Sequence, residues 1–413
     1  MNEIPLYNDL IGKIKEILTA NSSISLLYID CSKITKIEQV FGKKIYGDIL
    51  REIKGAVLDM KGKEIMPEDI VATDNLDGSE FLVFLSKKPE EKDFSTDGFD
   101  TMCKKVSGCL NGAIFPLTFP YLQTKPKISV GYSIILHNPL IKEERLINKL
   151  IEDAKLMAGY REFKRLVQTK ETLQELIIKE DISTFFQPVV NLNTFEIIGY
   201  EALSRGPEHT EYRSPAVLFD AAAETGLLLE LDRLCRKKAL LNARSLSPRY
   251  KLFINCLPSA IHDPEFKDEY LKAFIKEVAI NPANIILEVT EREAVENFDS
   301  FKKAVTCYSS DMGFAVAVDD TGSGFSSLEM VVELKPQFIK LAMTVIRGID
   351  KNILKQELVK AMFSLSEKIN SIIIAEGIET QEELKVLQDI GIPYGQGFLF
   401  AHPAFPFPGI KRF

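Results

Sequence analysis

The sequence lacks several features that would assign it to a simple class of protein. No dense run of Lys or Arg occurs, and the formal net charge of the 413 residues is −8 at pH 7. A nucleic-acid duplex or an anionic membrane surface needs a concentrated basic face, so we expect neither as a partner. No apolar run approaches the roughly 18 residues of a membrane-spanning helix, and the N-terminus does not resemble a signal peptide. We therefore expect a cytoplasmic protein.

Cysteine pairs of the kind found in metal-binding or redox motifs are also missing. The six cysteines are scattered without C-x-x-C spacing, and Cys256 lies in an apolar run. We expect reduced thiols, mostly in the core. The composition is that of a globular protein, with 46% hydrophobic and 27% charged residues. The length favours two or three domains.

The two halves of the chain show different patterns of apolar residues. In the first half, apolar runs predict strands at 24–29, 81–85 and 128–136, and helical segments lie at 11–18 and 46–58. Strands mixed with helices over about 160 residues predict one α/β or α+β domain. From Leu146 to Ile177 the apolar residues follow helical spacing, which predicts a helical connector.

The apolar runs of residues 175–413 share one feature, because each ends in a polar residue. This stretch is close to the roughly 250 residues of a β/α barrel, in which parallel strands bring their C-terminal ends to one rim. A single acidic residue in such a position would be ordinary for a strand end, but several of these polar residues together predict a functional site. The polar residues are Glu201, Asn255, Glu288, Asp319, Asp320, Lys340 and Glu376.

Five converging carboxylates would repel one another strongly, so their convergence requires cations. Oxygen ligands without Cys or His favour Mg²⁺ or Mn²⁺ over zinc. Two such ions about 4 Å apart can activate water and stabilise the leaving oxygen of a phosphodiester. Lys340 could orient the water or neutralise charge that develops on phosphorus.

These motifs resemble the EAL domain, the cyclic di-GMP phosphodiesterase family, over all of residues 175–413. Glu201-Ala202-Leu203 with Arg205 matches E-A-L-x-R, and Asp319-Asp320 matches the start of D-D-F-G-T-G. Further matches are Gln187-Pro188, the E-x-T-E of residues 288–291, the A-E-G-x-E-T of residues 375–380, and Gln396-Gly397. The resemblance implies a modified (β/α)8 barrel at residues 179–413.

The resemblance also implies roles for individual residues. Glu201, Asn255, Glu288 and Asp319 would hold one ion, and Asp319, Asp320 and Glu376 would hold a second. Lys340 would contact the catalytic water, with Glu376 and Glu201 also catalytic. The remaining expected roles are substrate binding by Gln187, Leu203, Arg205 and Gln396, the last through a guanine, and anchoring of a mobile loop by Glu291.

Three departures from the family pattern lie close to this site. Leu257 stands where the family commonly has a serine after the Asn ligand. Thr321 stands where the family usually has Phe, and Ala342 replaces the Asp of K-x-D. The loss of an acidic group beside the second ion would weaken turnover, metal affinity or both.

In the first half, an apolar run ends at Asp30 and residues 77–81 read DGSEF. These features resemble a degenerate GGDEF domain, the diguanylate cyclase family, over about residues 20–165. We expect the domain at residues 1–160, followed by the connector at 161–178. Residues 77–81, DGSEF, stand at the signature, where Asp77 replaces a glycine and Ser79 replaces the acidic metal ligand. Glu38 stands where an Asn normally reads guanine. The arginine of the inhibitory product site is also missing, since no Arg occurs between Arg51 and Arg145. We expect a regulatory or dimerising module without cyclase activity, and weak GTP binding stays open.

The sequence thus favours an enzyme that uses two Mg²⁺ or Mn²⁺ ions to open cyclic di-GMP to linear pGpG. The alternative is a receptor that binds cyclic di-GMP without hydrolysing it and signals through the connector. The intact ligands favour the enzyme, whereas Thr321 and Ala342 favour the receptor. A homodimer through the EAL domain and an unknown protein partner also stay open.

Overall fold

The structure, a computed structural model, describes residues 4–75, 78–86, 96–122, 128–266, 268–290, 312–322 and 327–411, with 302–303, 305–306 and 308–309. The chain forms two compact units, Met1–Gln168 and Thr169–Phe413. The domain bounds predicted from the sequence, near residues 160 and 178, stay a prediction.

The first unit combines one antiparallel sheet with helices. Its strands are β1 (Ser23–Asp30), β2 (Ile70–Thr73), β3 (Glu80–Leu85) and β4 (Ser129–Leu136). Its helices are α1 (Ile11–Asn21), α2 (Thr35–Phe41), α3 (Lys43–Asp59), α4 (Thr96–Leu122) and α5 (Glu143–Ile178), the last of which continues past Gln168. Short 3-10 turns lie at Tyr7–Leu10 and Ser32–Ile34.

The sheet has the order β2-β3-β1-β4 and is buried on both faces. Side chains alternate along a strand, so Leu27 and Ile29 of β1 pack among residues of α2, α3 and α4. Leu26 and Tyr28 face the other way and pack among residues of α1 and α5. The first unit is therefore an α+β domain with helices on both sides of the sheet.

The predicted strands and helices of this unit are confirmed, and three elements were missed. The helix α2 was missed because its seven residues are too few to show clear helical spacing. The short strand β2 was missed because four residues are too few to show alternation. The helix α4 was missed because its sequence is apolar without a clear single stripe.

Gly131 of β4 lies so close to α5 that an added Cβ would stand 2.1 Å from the carbonyl oxygen of Ala154.

The second unit contains a closed barrel of eight strands. They are β5 (Ser183–Asn191), β6 (Ile197–Arg205), β7 (Lys251–Asn255), β8 (Ile285–Thr290), β9 (Ala315–Thr321), β10 (Phe338–Leu341), β11 (Ile372–Ala375) and β12 (Tyr394–Gly395). The described helices are α6 (Pro215–Thr225), α7 (Leu228–Asn242), α8 (Asp268–Val278), α9 (Ser327–Leu334), α10 (Met343–Ile346), α11 (Ile353–Ile369) and α12 (Gln381–Ile390). Short 3-10 turns lie at Glu211–Arg213, Pro258–His262, Pro264–Phe266, Pro282–Asn284 and Ile349–Lys351.

The barrel is parallel except at one strand, because β5 is antiparallel to both of its neighbours, β6 and β12. The expected modification of the (β/α)8 pattern is this strand reversal. Beyond the end of β12, the C-terminal tail contributes a bridge in which the backbone of Ala404 exchanges two hydrogen bonds with Phe186 of β5. Strand β9 does not end at the first polar residue, since it continues through Asp319 and Asp320 to Thr321.

Two other features bear on the sequence-based expectations. Among the described residues, no helix is both long enough and apolar enough to cross a membrane. Of the described cysteines, Cys31, Cys103, Cys235 and Cys256 are buried and Cys109 is exposed. All five are free thiols, and Cys307 lies outside the described residues.

Candidate active site

The polar residues that end the apolar runs converge at one end of the barrel, as the strand pattern predicts. The register of the parallel strands places Asn255 opposite Glu288 and Thr290 opposite Asp319. Glu376 follows β11 directly, and its backbone N–H donates to the carbonyl of Leu341 on β10. The parallel register therefore brings together side chains that are far apart in the sequence.

Lys340 of β10 lies at the centre of this group and is fully buried. Its Nζ makes four contacts with carboxylate oxygens: 2.6 Å to Glu376 Oε1, 2.7 Å to Glu288 Oε1, 3.3 Å to Glu201 Oε2 and 3.5 Å to Asp319 Oδ1. One ammonium is thus shared among four acids.

The electrostatics of the site are those of an excess of negative charge in a buried space. Burial raises the pKa of Glu288 well above its usual value, and the charge of Glu201 raises it further. Burial and the charge of Asp319 act in the same way on the pKa of Glu376. Burial opposes the charge of Lys340, but the surrounding carboxylates outweigh it and raise the lysine pKa well above its usual value.

Glu201 differs from its neighbours because its carboxylate is well satisfied. Burial disfavours its charge, but the attraction of Lys340 and three side-chain hydrogen bonds lower its pKa. Asn255 donates from Nδ2 to Oε1 at 3.2 Å, and Gln396 donates from Nε2 to Oε2 at 2.7 Å. Glu201 therefore stays an anion.

The donor set fits divalent cations. Oxygen atoms of Asp319, Asp320 and Glu376 lie within 4.8 Å of one another, close enough to share one ion. Glu288 is 1% exposed, and neither of its carboxylate oxygens accepts a hydrogen bond of good geometry from the described residues. Five carboxylates against one ammonium leave four negative charges, which two divalent ions would neutralise. Carboxylate and amide oxygens are the ligands that Mg²⁺ and Mn²⁺ prefer.

Two glutamines lie next to Glu201, Gln187 in the antiparallel strand β5 and Gln396 directly after β12. Gln187 of β5 lies opposite Glu201 in the register and donates from Nε2 to the carbonyl of Ala401 at 3.0 Å. Gln396 donates from Nε2 to Gln187 Oε1 at 2.8 Å as well as to Glu201. Both side chains are nearly buried, so they hold the carboxylate in place. Contact of Gln396 with a guanine stays a prediction.

A cavity of about 460 Å³ opens beside the carboxylates. Asn255, Glu288 and Asp320 line part of its wall, and Leu203 and Arg205 of β6 line another part. The guanidinium of Arg205 donates from Nη1 to the carbonyl of Ser204 at 2.8 Å. The predicted substrate-binding residues Leu203 and Arg205 therefore share one cavity with three of the predicted metal ligands.

The sequence-based reasoning missed a buried ion-pair network next to this cavity. Asp232 lines the cavity and pairs with Arg236 at 2.7 Å, and Arg236 pairs with Asp263 at 3.1 Å. Asp232 also accepts a hydrogen bond from the backbone N–H of Leu257, two residues after Asn255. The signal available was the i,i+4 spacing of Asp232 and Arg236 on α7, which is common on helix surfaces and so was not distinctive.

Two of the three departures from the family pattern, Thr321 and Ala342, are buried next to each other. Thr321 is fully buried, and its carbonyl accepts a hydrogen bond from the backbone N–H of Ala342 at 3.1 Å. Ala342 stands at the N-cap of α10 without a side-chain cap. Asp320, beside Thr321, has a left-handed backbone with φ of 55°. The expected anchor Glu291 lies outside the described residues.

The DGSEF segment of the first unit has its own set of contacts. Glu80 accepts hydrogen bonds from Tyr28 Oη at 2.7 Å and Asn75 Nδ2 at 3.2 Å, and it pairs with Lys155 of α5 at 3.0 Å. Lys155 also pairs with Asp74. Ser79 is 1% exposed, and Asp77 lies outside the described residues. Glu80 therefore has three polar partners within the first unit.

Divalent cations should stabilise the barrel through the carboxylate cluster. A saturating concentration of Mn²⁺ or Mg²⁺, about 100 times the Kd, stabilises a protein by ~2.7 kcal/mol. For a unit of this size that corresponds to a rise in Tm of about 5–10 °C in a thermal melt. We expect Asp319→Asn to lose most of this rise, because Asp319 belongs to both expected ligand sets. Glu357→Gln, an exposed helix position, is the control, and an equal rise in D319N would contradict the assignment.

Comparison with known proteins gives the family. Residues 170–403 match the EAL domain model. The probable cyclic di-GMP phosphodiesterase PdeG of Escherichia coli K12 is 28% identical over 300 residues, which cover 69% of this chain and 59% of PdeG. The blue light- and temperature-regulated antirepressor BluF of the same strain is 29% identical over 217 residues, which cover 52% of this chain and 53% of BluF.

A solved structure agrees with the fold. The Xanthomonas citri FimX EAL domain, solved in complex with c-diGMP, superposes with a TM-score of 0.54 at 21% identity. The match covers 59% of this chain and 96% of that domain. The chain spans less than two thirds of the length of both relatives, PdeG and BluF. The family match extends over more than half of the chain, and this protein belongs to the EAL domain family.

Proposed function

We propose that the barrel is a phosphodiesterase that uses two divalent ions to hydrolyse cyclic di-GMP to the linear dinucleotide pGpG. The observation that carries this proposal is the cluster of five carboxylates around Lys340 beside a cavity of about 460 Å³. The similarity to a relative named as a probable cyclic di-GMP phosphodiesterase supports the substrate.

The two ion sites would share one carboxylate. Glu201, Asn255, Glu288 and Asp319 would hold one ion, and Asp319, Asp320 and Glu376 would hold the other. Bound there, two Mg²⁺ or Mn²⁺ ions would supply a polarised water and positive charge next to the leaving oxygen. Asn255 and Gln396 keep the Glu201 carboxylate oriented toward this space through their hydrogen bonds.

Hydrolysis forms one bond and breaks one bond at phosphorus. The water oxygen attacks in line with the P–O3′ bond, that bond breaks, and the 3′ oxygen gains a proton while the water loses one to the carboxylate cluster. Lys340, held as a buried ammonium by its acidic neighbours, offsets the charge that develops on the phosphoryl oxygens. The product keeps a 5′ phosphate and is no longer cyclic.

Turnover by the purified chain of 413 residues tests this function. Incubation with cyclic di-GMP and Mn²⁺ should yield pGpG, separated by ion-exchange chromatography. Glu201→Gln should reduce the rate by about 100-fold or more, the size of effect seen when one charge-stabilising group is removed. Glu196→Gln is the matched control, because Glu196 is exposed and directly precedes the first residue of β6, the strand that carries Glu201. A wild-type chain that yields no pGpG with either ion contradicts the proposal.

A receptor that binds cyclic di-GMP without turnover is the second candidate. The observation that favours it is Ala342, a buried neutral residue two positions after Lys340 where the family usually has an acid. The similarity to BluF, named as an antirepressor rather than an enzyme, also supports it.

Restoring the acid at position 342 separates the two candidates. Because Ala342 is the N-cap of α10, both Asp and Asn can cap that helix. Only Asp adds charge near the second expected ion. We therefore expect Ala342→Asp to raise the rate of hydrolysis, or to lower the Mn²⁺ concentration needed, by about 3–10-fold, roughly the effect of one modest charge-assisted contact. Ala342→Asn is the matched control and should stay near wild type. Equal behaviour of A342D and A342N would show that the missing acid is not what limits turnover.

We also propose that the first unit is a regulatory module derived from a GGDEF domain, without cyclase activity, joined to the barrel by residues 161–178. The engagement of Glu80 by Tyr28, Asn75 and Lys155 supports this, since a carboxylate with three partners is not available to hold nucleotide-bound metal.

Incubation with GTP and Mg²⁺ tests the absence of cyclase activity. We expect no cyclic dinucleotide, because Ser79 supplies no carboxylate where the cyclases use one. Mass spectrometry would detect synthesis at low levels. A chain with Glu201→Gln should be used, so that hydrolysis by the barrel does not hide the product, and any cyclic di-GMP formed would refute the assignment.

A further inference from the structure

The long helix α5 carries two apolar stripes on opposite sides. The buried stripe packs among residues of β1 and β3 and consists of Leu146, Ile147, Leu150, Ile151, Ala154 and Ala158. The other stripe consists of Leu156, Tyr160, Phe163 and Val167, whose exposed fractions are 72%, 57%, 64% and 38%. At about 100° per residue, the centres of the two stripes lie almost opposite each other around the helix axis. Packing in the first unit accounts for the buried stripe only.

The exposed stripe runs into a stretch of α5 that has no internal packing. None of residues 159–172, all of which the structure describes, is buried. Ion pairs from Arg161 to Asp100 and from Glu162 to Lys33 contact the helix on the side away from the exposed stripe. A helical stretch of roughly 14 residues is marginal in water by itself, because most helical stability in proteins comes from burial of an apolar face. The exposed stripe is the apolar face that such burial would use.

The exposed stripe has the spacing of a coiled coil, with charges of opposite sign at its two ends. The steps alternate between three and four residues along Asp153, Leu156, Tyr160, Phe163, Val167 and Lys170. This heptad spacing is the one that lets one helix pack along another over several turns. Among the described residues, Asp153 and Lys170 have no ion-pair partner. Both the apolar side chains and the two end charges are therefore available to a second helix.

We propose that the exposed stripe of α5 pairs with the same stripe of a second copy of this chain, as an antiparallel two-helix coiled coil around a two-fold axis. In this arrangement Tyr160 of one copy faces Phe163 of the other on both sides of the axis. Further out, each Leu156 faces a Val167, and each Asp153 faces a Lys170. A two-fold axis makes every one of these contacts twice, so one stripe supplies both halves of the interface.

Charge complementarity selects both the orientation and the occupant. A parallel pair would place Asp153 against Asp153 and Lys170 against Lys170, and like charges in contact are unfavourable. The antiparallel pair instead forms an ion pair at each end of the apolar layers. Because the stripe is complementary to itself in this orientation, a second copy of the chain fits it without any further component.

The size of the stripe determines the strength of the pairing. The exposed parts of its four apolar side chains amount to roughly 400 Å² per copy. An interface of roughly 800–1,000 Å² in total lies at the low end for protein pairs and is typical of weak, reversible association. We therefore expect a dimer that forms at micromolar concentration and dissociates on dilution. This pairing is independent of the proposed phosphodiesterase activity, since it uses no residue of the barrel.

Sedimentation equilibrium of the purified chain of 413 residues tests the pairing. Between about 1 and 300 µM protein, we expect the wild type to dimerise with a Kd of about 1–100 µM. Phe163→Glu should weaken the dimer about 100-fold or more, because the two-fold axis places the new charge twice near the centre of the interface. Phe119→Glu is the matched control, since Phe119 of α4 is 47% exposed and lies outside the stripe. It should dimerise as the wild type does, and both variants should keep the wild-type Tm.

Exchange of the two end charges tests the antiparallel orientation. Asp153→Lys and Lys170→Asp should each weaken the dimer about tenfold at low salt, because each brings like charges together at both ends. The double variant D153K/K170D should recover the wild-type Kd, since it only swaps the two members of each ion pair. In a parallel dimer each position meets itself, so the double variant would give no such recovery.

Three results would overturn the inference. The first is a wild-type chain that stays monomeric over the whole concentration range. The second is an association that Phe163→Glu leaves unchanged or that Phe119→Glu weakens equally, because the chains would then associate through another surface. The third is a double variant D153K/K170D that dimerises no more tightly than the single variants.

Discussion

The repulsion among five carboxylates at the end of the barrel is the constraint on which the site depends. A barrel that brings five acids together without compensating charge would lose stability, because charges in a buried space are poorly screened. Lys340 offsets part of this repulsion through four contacts, but burial and the charges of the neighbouring carboxylates still raise the pKa of Glu288 and Glu376. The side chains of the cluster therefore do not balance its negative charge by themselves. This unbalanced charge is the physical reason to expect divalent ions.

The sequence predicts this site well because a parallel barrel brings the residues that end its strands to one rim. Each of the strands β7 to β11 ends near a polar residue, and parallel pairing brings those ends to one rim. The positions of Asn255, Glu288, Asp319, Lys340 and Glu376 follow from that rule alone. The order of the strands did not have to be known, because in a closed parallel barrel every order gives the same rim.

Features that depend on side-chain packing could not be read from the sequence. The hydrogen bonds from Gln396 to Glu201 and Gln187 join residues 195 and 209 positions apart, and neither glutamine ends an apolar run. The reversal of β5 was not visible either, because an apolar strand looks the same in both directions.

The chain contains a second lysine among carboxylates, and comparing the two explains why we assign chemistry to only one. Lys155 faces Asp74 and Glu80, and Glu80 is also satisfied by Tyr28 and Asn75. One ammonium there meets two acids that are partly open to solvent, so water and neutral donors can compensate the rest of the charge. Lys340 meets four acids in a buried space, with Asp320 as a fifth nearby, and neutral donors cannot compensate that charge. A cluster of the first kind is complete with its lysine alone. A cluster of the second kind keeps negative charge that further cations would neutralise, and this is the physical basis of the phosphodiesterase activity proposed above.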